Sequence, residues 1–293
     1  MKKSEGAPIS LRCNRALFKL ANSVSYKLML LRRMLQIKIF HQEFDYRDED
    51  VFIVTYMKSG TTLLQVLLYQ ILTNGDMSFN HIYDVSPWLE QSIDVGRDLS
   101  KLPSPRVLKT HSEYKYFPKK AKGKIIYCIR NGMDVAVSMF HHYRNLELSN
   151  LEWDEFLNKT FAQDSWFDHV KEWMENKDKL PIFYVRYEDL TQNMRKTAEE
   201  LALFLGISLT EEVMQRALER SSFDYMKLNQ EKFGARRPKD NRKFDQFIRK
   251  GESNKGQFQF NESQKDWYNN LYNKHLGKYK LGYDLPGGEI DQK

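Results

Sequence analysis

A chain of 293 residues, 41% hydrophobic, 29% charged and 13% aromatic, is long enough for one large α/β domain or two small ones with a sizeable core. With only 14 Gly and 8 Pro, a collagenous or long disordered tract is excluded. The formal net charge of +7 suits a polyanionic partner without separating nucleic acid, nucleotide and membrane surface, and it serves solubility equally well.

In chain order, "ALFKLANSVSYKLMLLRRMLQIKIF" (16–40) is apolar at helical spacing but interrupted by Lys19, Lys27, Arg32, Arg33 and Lys38. No uninterrupted run approaches the ~18–20 residues of a membrane span, and no small-residue cleavage site follows an apolar core. An amphipathic helix packed on the body is expected here, in preference to a basic helix lying on a membrane. Then "VFIVTY" (51–56), "RVLKT" (106–110), "KIIYCIR" (124–130) and "PIFYVRY" (181–187) read as buried strands. Residues 61–72, 134–146 and 166–176 read as helices between them. This alternation predicts an α/β fold in three layers, α/β/α, with a central parallel sheet.

Further on, "NMRKTAEELALFLGI" is an amphipathic helix that Gly206 should cap. Ser208 with Glu211 predicts a capping box for the next helix. The polar, basic stretch 229–257 reads as a long loop of the kind that forms lids. No linker or internal repeat interrupts the chain, so a single domain over 1–293 is expected, with a helical extension at about 10–40. Cys13 and Cys128 make no disulfide framework and point to a reducing, cytoplasmic setting. No metal-ligand spacing is found among the histidines and cysteines.

The chemistry begins at "TYMKSGTTLL" (55–64), a strand, a tight turn and a helix. The first amides of such a helix lack internal partners, and the helix dipole adds positive charge there, which makes an anion site. Gly60 lets the backbone approach the anion, the Thr61 and Thr62 hydroxyls can donate to it, and Lys58 brings a full charge. A helix capped by Ser59 beside a solvent-facing lysine is the plainer alternative. The turn lacks the first glycine of a nucleotide triphosphatase loop, and no apolar run ends in an Asp suited to magnesium. It suits one phosphate-like group.

Arg130, at a strand end, and Ser138, eight residues on, can hold a second phosphate, although a salt bridge explains Arg130 equally well. Lys109 and His111 share strand parity. A histidine just past a strand end on the ligand side of a parallel sheet suits a general base, or a structural role.

Together these residues resemble the cytosolic sulfotransferase family over about 50–285. "TYMKSGTT" is similar to the loop holding a 5′-phosphosulfate, "RNGMDVAVS" to the 3′-phosphate segment and "KTH" to the catalytic-base motif. "YEDL" (187–190) and "SSFDYMK" (221–227) are similar to the adenine walls, and "RKG" (249–251) to the return of a lid onto the 3′-phosphate. "PWLE" (87–90) and "WFDHVKEW" (166–173) are similar too. The resemblance implies a metal-independent enzyme moving a sulfuryl group from 3′-phosphoadenosine 5′-phosphosulfate (PAPS) to a hydroxyl or amine of a small acceptor. It implies His111 as base, Lys58 and Lys109 as electrostatic stabilisers, and Ser138 as a partner of Lys58 and the 3′-phosphate. By the same resemblance Ser59, Gly60, Thr61 and Thr62 hold the 5′ end. Arg130, Ile248, Arg249, Lys250 and Gly251 border the 3′-phosphate, and Tyr187, Ser221 and Phe223 line the adenine.

Leu63 stands where the family has a tryptophan near adenine. The chain reads "ESNKGQFQFNESQ" after "RKG", without the family's dimerisation motif, which leaves its oligomeric state open. By position Tyr83, Trp88, Glu113, His141 and Tyr143 line the acceptor pocket. Glu113, the His141–His142 pair and Glu147 favour a polar or cationic acceptor. Neither a nucleic acid partner nor a transmembrane span is expected. The competing readings are a magnesium-dependent small-molecule kinase, a non-catalytic PAP(S)-binding protein, and a membrane-associated polysaccharide sulfotransferase. The last of these resembles the chain less, because that group carries an anchor and a carboxylate base.

Overall fold

The computed structural model describes residues 9–73, 77–145, 150–161, 166–234, 248, 251 and 255–282. The chain divides into two compact units, Met1–Asp45 and Tyr46–Lys293. The first contains α1 (Ile9–Glu43), a single helix. Val24, Leu28, Leu31, Leu35 and Ile39 share one face of it and are each about half exposed. No helix among the described residues is long and apolar enough to cross a membrane.

The second unit follows the alternation read from the sequence. Its elements are β1 (Val51–Thr55), α2 (Thr61–Thr73), α3 (Leu89–Val95), β2 (Val107–Thr110), β3 (Lys124–Ile129) and α4 (Gly132–Asn145). A short turn α5 (Trp153–Glu155) runs on as a π-helical segment, Phe156–Phe161. Then come α6 (Trp166–Glu175), β4 (Ile182–Arg186), α7 (Tyr187–Gln192), α8 (Met194–Leu205), α9 (Glu211–Arg220), α10 (Phe223–Leu228) and α11 (Glu262–Leu276).

The described strands form a parallel sheet in the order β2-β1-β3-β4. Val51 stands opposite both Val107 and Lys124, and Ile125 stands opposite Ile182. Because side chains alternate, Ile53, Ile126 and Val185 face one side, where Leu64 and Leu67 of α2, Leu201 of α8 and Met214 of α9 cover them. Phe52 and Tyr127 face the other side. There Phe52 meets Phe117 edge-on at 5.4 Å, and Tyr127 stacks on Trp173 of α6 at 5.4 Å. Both faces are therefore covered, which is why the strands read as continuous apolar runs.

One predicted cap moves. Gly206 does close α8 in the left-handed conformation, φ 74°. The next helix, however, is capped by Thr210, whose hydroxyl accepts from Val213 N, and not by Ser208. Glu211 is thereby the first helical residue, and its carboxylate pairs with Arg195 of α8 at 2.7 Å in place of a capping box.

β1 lies between β2 and β3, so the connections leaving its two sides run in opposite directions. Parallel sheets place ligands at such a switch, beyond the carboxyl ends of the strands. Below the opposite end of the sheet, Arg106 donates to both oxygens of Asp50 at 2.7 and 2.6 Å, with both side chains buried. This clamp ties the entry of β2 to the entry of β1. Arg106→Met leaves a buried carboxylate without its cation, and should lower stability by about 3–5 kcal/mol in urea denaturation. A change below about 1 kcal/mol would show that the clamp is dispensable.

Candidate active site

The turn after β1 is tightly specified. Lys58 has φ 65°, a region that non-glycine residues enter at a cost, and Gly60 has φ 96°. A Cβ on Gly60 would come within 2.5 Å of the Tyr187 ring, so only glycine fits there. Arg130 Nη1 donates to the Lys58 carbonyl at 3.2 Å, and the Arg130 guanidinium stacks on Tyr187 at 4.3 Å. The Cys128 thiol donates to the Ser59 carbonyl at 3.0 Å; burial pushes its pKa well up, so the proton stays on sulfur. With these carbonyls turned back into the protein, the amides at the start of α2 face outward, as an anion site needs.

His111 lies just beyond β2. Its Nδ1 is 2.8 Å from the Thr55 carbonyl, which can only accept, so Nδ1 carries the proton and Nε2 carries the lone pair. Thr55 Oγ1 is 3.3 Å from the same nitrogen and 2.6 Å from Thr61 Oγ1. The Thr61 hydroxyl is thus shared with Thr55, whereas the sequence reading aimed it at the anion. Burial, then the charges of Lys109 and Lys58, lower the His111 pKa to about 3, so the imidazole is neutral around pH 7. Trp88 packs edge-on against it at 5.3 Å. Trp88 is placed by a bridge to Lys109, in which Lys109 N donates to Pro87 O at 3.0 Å. The Lys109 ammonium donates to the Tyr83 hydroxyl at 2.8 Å and lies 4.9 Å from the Trp88 ring centre.

A cavity of about 750 Å³ joins these groups. Lys58, Gly60, Thr61, Thr62, Arg130 and Ser138 line it. Leu63, Tyr187, Ser221, Phe223, Ile248 and Gly251 continue the wall, as do Tyr83, Trp88, Lys109, His111, His141 and Tyr143. The position lacking a tryptophan is filled by Leu63, packed with Ile248 against the cluster that contains Met226. Gly251, at φ 64°, sits so close to Phe223 that a Cβ would fall 2.4 Å from the ring. Ser59 is buried behind the turn instead of lining the cavity.

Besides Ser59, a second sequence-predicted residue is not on the wall. Glu113 does not line the cavity, because its carboxylate pairs with Lys115. Arg249, Lys250 and Glu147 lie outside the described residues. The structure adds Gln91, Asp134 and Lys255 to the wall. Asp134 Oδ1 accepts from Gly256 N at 2.5 Å, tying Gly256 to α4. A lone carboxylate at a helix start gives no local signal of such a tie. His169 was also missed as a support: it is buried beneath the His111 segment, 2.9 Å from the Tyr127 hydroxyl, and burial lowers its pKa to about 3. Trp173 Nε1 donates to Ser112 O at 3.1 Å and steadies the same segment.

The residues fit a nucleotide carrying two separated anions. One buried hydroxyl on the cavity wall, Ser221 Oγ, has no hydrogen-bond partner among the described residues. Leu63, Phe223 and Ile248 add apolar and aromatic surface to the same wall, which suits a base.

A parallel α/β fold with a single-anion turn at its switch point, opposite a neutral histidine, defines a group-transfer enzyme acting on a nucleotide-borne anion. A family model, the sulfotransferase domain, matches residues 48–280, and the chain belongs to that family. It is 30% identical over 260 residues to rat sulfotransferase 1C2, covering 83% of this chain and 88% of that one. It is 38% identical over 205 residues to mouse sulfotransferase 1B1, covering 64% of this chain and 69% of that one. Among solved structures, mouse sulfotransferase SULT7A1 complexed with PAP is 29% identical, with a TM-score of 0.65 over 83% of this chain and 90% of that one. The chain is accordingly a sulfotransferase that uses PAPS as donor.

The buried His169 and the partly buried His111 carry a pH signature. Folded values near 3 against about 6.5 unfolded mean that the unfolded chain takes up protons which the folded chain refuses. Stability therefore falls as pH drops from 6.5 toward 3, by about 1.4 kcal/mol per unit per histidine. Between pH 6.5 and 5.0, His169→Gln should lose about 2 kcal/mol less than wild type in urea denaturation. Equal losses in the two proteins would show that His169 is not held neutral.

Proposed function

We propose that His111 is the general base of sulfuryl transfer from PAPS to a hydroxyl or amine of a small acceptor bound against Tyr83, Trp88 and His141 in the cavity. The observation that carries this is the tautomer: Nδ1–H is committed to the Thr55 carbonyl at 2.8 Å, which leaves Nε2 unprotonated. When bound, the donor supplies a sulfuryl group on a phosphate leaving group. Nε2 takes the acceptor's proton as the acceptor becomes nucleophilic. Lys58, held in its left-handed turn, stabilises the charge that grows on the departing phosphate. Lys109, anchored by Tyr83, lies on the acceptor side and stabilises charge there. Ser138 and Arg130 serve the second anion, supported by Lys255 on the same wall.

The case for a cationic acceptor is weaker than the sequence indicated, because Glu113 is turned away and paired. His141, His142 and Gln91 remain on the wall and favour an acceptor with polar substituents. We also assign the enzyme to the cytoplasm, a reading supported by the free, buried thiol of Cys128.

The test is transfer from labelled PAPS to a panel of phenols, alcohols and amines. His111→Ala should cut kcat by about 10²–10⁴-fold while calorimetric affinity for PAP changes little. Lys58→Ala should cost about 10²–10³-fold in kcat and also weaken PAP binding. Because His111 is neutral down to about pH 3, kcat/KM should show no acid limb near pH 6.5. An unimpaired His111→Ala enzyme would remove the proposed base, and failure of every acceptor despite tight PAP binding would leave a binding protein.

A further inference from the structure

The basic excess of the chain is not spread along it. The first 45 residues hold nine Lys or Arg against three Asp or Glu, and the other 248 hold 37 against 36. Almost all of the net +7 therefore sits in the segment of α1, while the unit that carries the active site is nearly neutral. Within α1 there are seven basic residues and one acidic residue, Glu43, at its end.

Five of the exposed apolar side chains of α1 share one face, while Met29 and Met34, also exposed, lie off it. Val24, Leu28, Leu31, Leu35 and Ile39 follow one another at steps of four, three, four and four, which at 3.6 residues per turn confines them to an arc of about 80°. They are 49–60% exposed. By the same helical geometry Lys27 and Lys38 border the stripe on one side and Arg32 on the other, and all three are exposed. An exposed apolar stripe edged by cations, with hardly an acidic residue beside it, has the charge and shape of a helix that lies in a lipid interface. The stripe enters the acyl boundary, and the long basic side chains reach back to the headgroups.

We propose that α1 docks the protein on an anionic lipid surface. A second copy of the chain is a poor occupant of the stripe, since pairing sets two strongly basic helices side by side. Nucleic acid would use the cations but leave the apolar stripe in water.

The experiment is co-sedimentation of the full chain with vesicles of phosphatidylcholine alone and of phosphatidylcholine with about 30% phosphatidylserine, which approximates an anionic cytoplasmic leaflet. At least tenfold stronger partitioning onto the anionic vesicles is expected, falling at high salt. Each basic residue near such a surface contributes about fivefold, so Lys27→Glu, Arg32→Glu and Lys38→Glu together should lower partitioning by a hundredfold or more. Leu31→Ser with Leu35→Ser should lower it more than tenfold through lost apolar insertion. Calorimetric affinity for PAP should be unchanged in both variants, since none of these residues lines the cavity. Equal partitioning onto the two vesicle types, absence from both, or binding indifferent to the variants would overturn the proposal. So would a dimer in sedimentation velocity that the leucine variant abolishes, which would give the stripe to a second copy.

Discussion

The rest of the second unit depends on the turn between β1 and α2, which must reverse the chain in five residues while leaving the helix amides open to an anion. Its left-handed Lys58 costs about 1–2 kcal/mol by itself. Three neighbours hold it: Arg130 and Cys128 on the Lys58 and Ser59 carbonyls, and the Tyr187 ring against Gly60. Cys128 and Arg130 lie at the end of β3 and just beyond it, and Tyr187 opens α7 directly after β4. They meet the turn only because β1, β3 and β4 run parallel in one register. The sheet is in this sense the device that sets the anion site, and a slip of one residue would turn Cys128 to the opposite face.

The same constraint reaches the base. Thr55, the last residue of β1, offers its carbonyl to His111 Nδ1, and its hydroxyl to Thr61 on the anion side. One residue thereby fixes the tautomer of the imidazole and the start of the anion-binding helix. Burial and two nearby ammonium groups then keep the imidazole uncharged. A charged histidine at that position could not accept a proton and would repel Lys58 and Lys109. The arrangement puts fixed positive charge where anionic oxygens belong and a neutral acceptor nitrogen where a proton must arrive.

The strands were legible to within a residue or so at either end, because burial on both faces writes apolar β-branched runs that few other elements share. The turn was legible as a local pattern with a local conformational demand, a glycine at φ 96° between a strand and a helix. What escaped was non-local. The bridge that carries Trp88 to Lys109, the tie from Asp134 to Gly256, and His169 beneath His111 are pairings that no local pattern announces, although Trp88, Lys109 and His111 were each singled out. Glu113 was placed on the pocket wall by its position after the base motif, and the structure puts it elsewhere. The chain leaves the sheet after Thr110 for a short helical turn, Tyr114–Tyr116, and the carboxylate finds Lys115. The capping box in α11, Asn261 with Gln264, was local and simply overlooked within a polar stretch.

Net charge offers the sharpest contrast between a total and a distribution. A basic chain and a polyanionic donor seem to explain each other, yet the unit that holds the donor site carries 37 basic and 36 acidic residues. Recognition there rests on position: Lys58, Arg130, Lys109 and Lys255 converge on one cavity from four separate segments. Local convergence raises the potential where the donor binds without making the whole unit attract every polyanion. The excess that the total reports belongs to α1, where cations lie along a helix beside an apolar stripe and no cavity is needed. Two ways of meeting an anion therefore share one chain, a concave set of converging cations for a small ligand and a linear set for an extended surface.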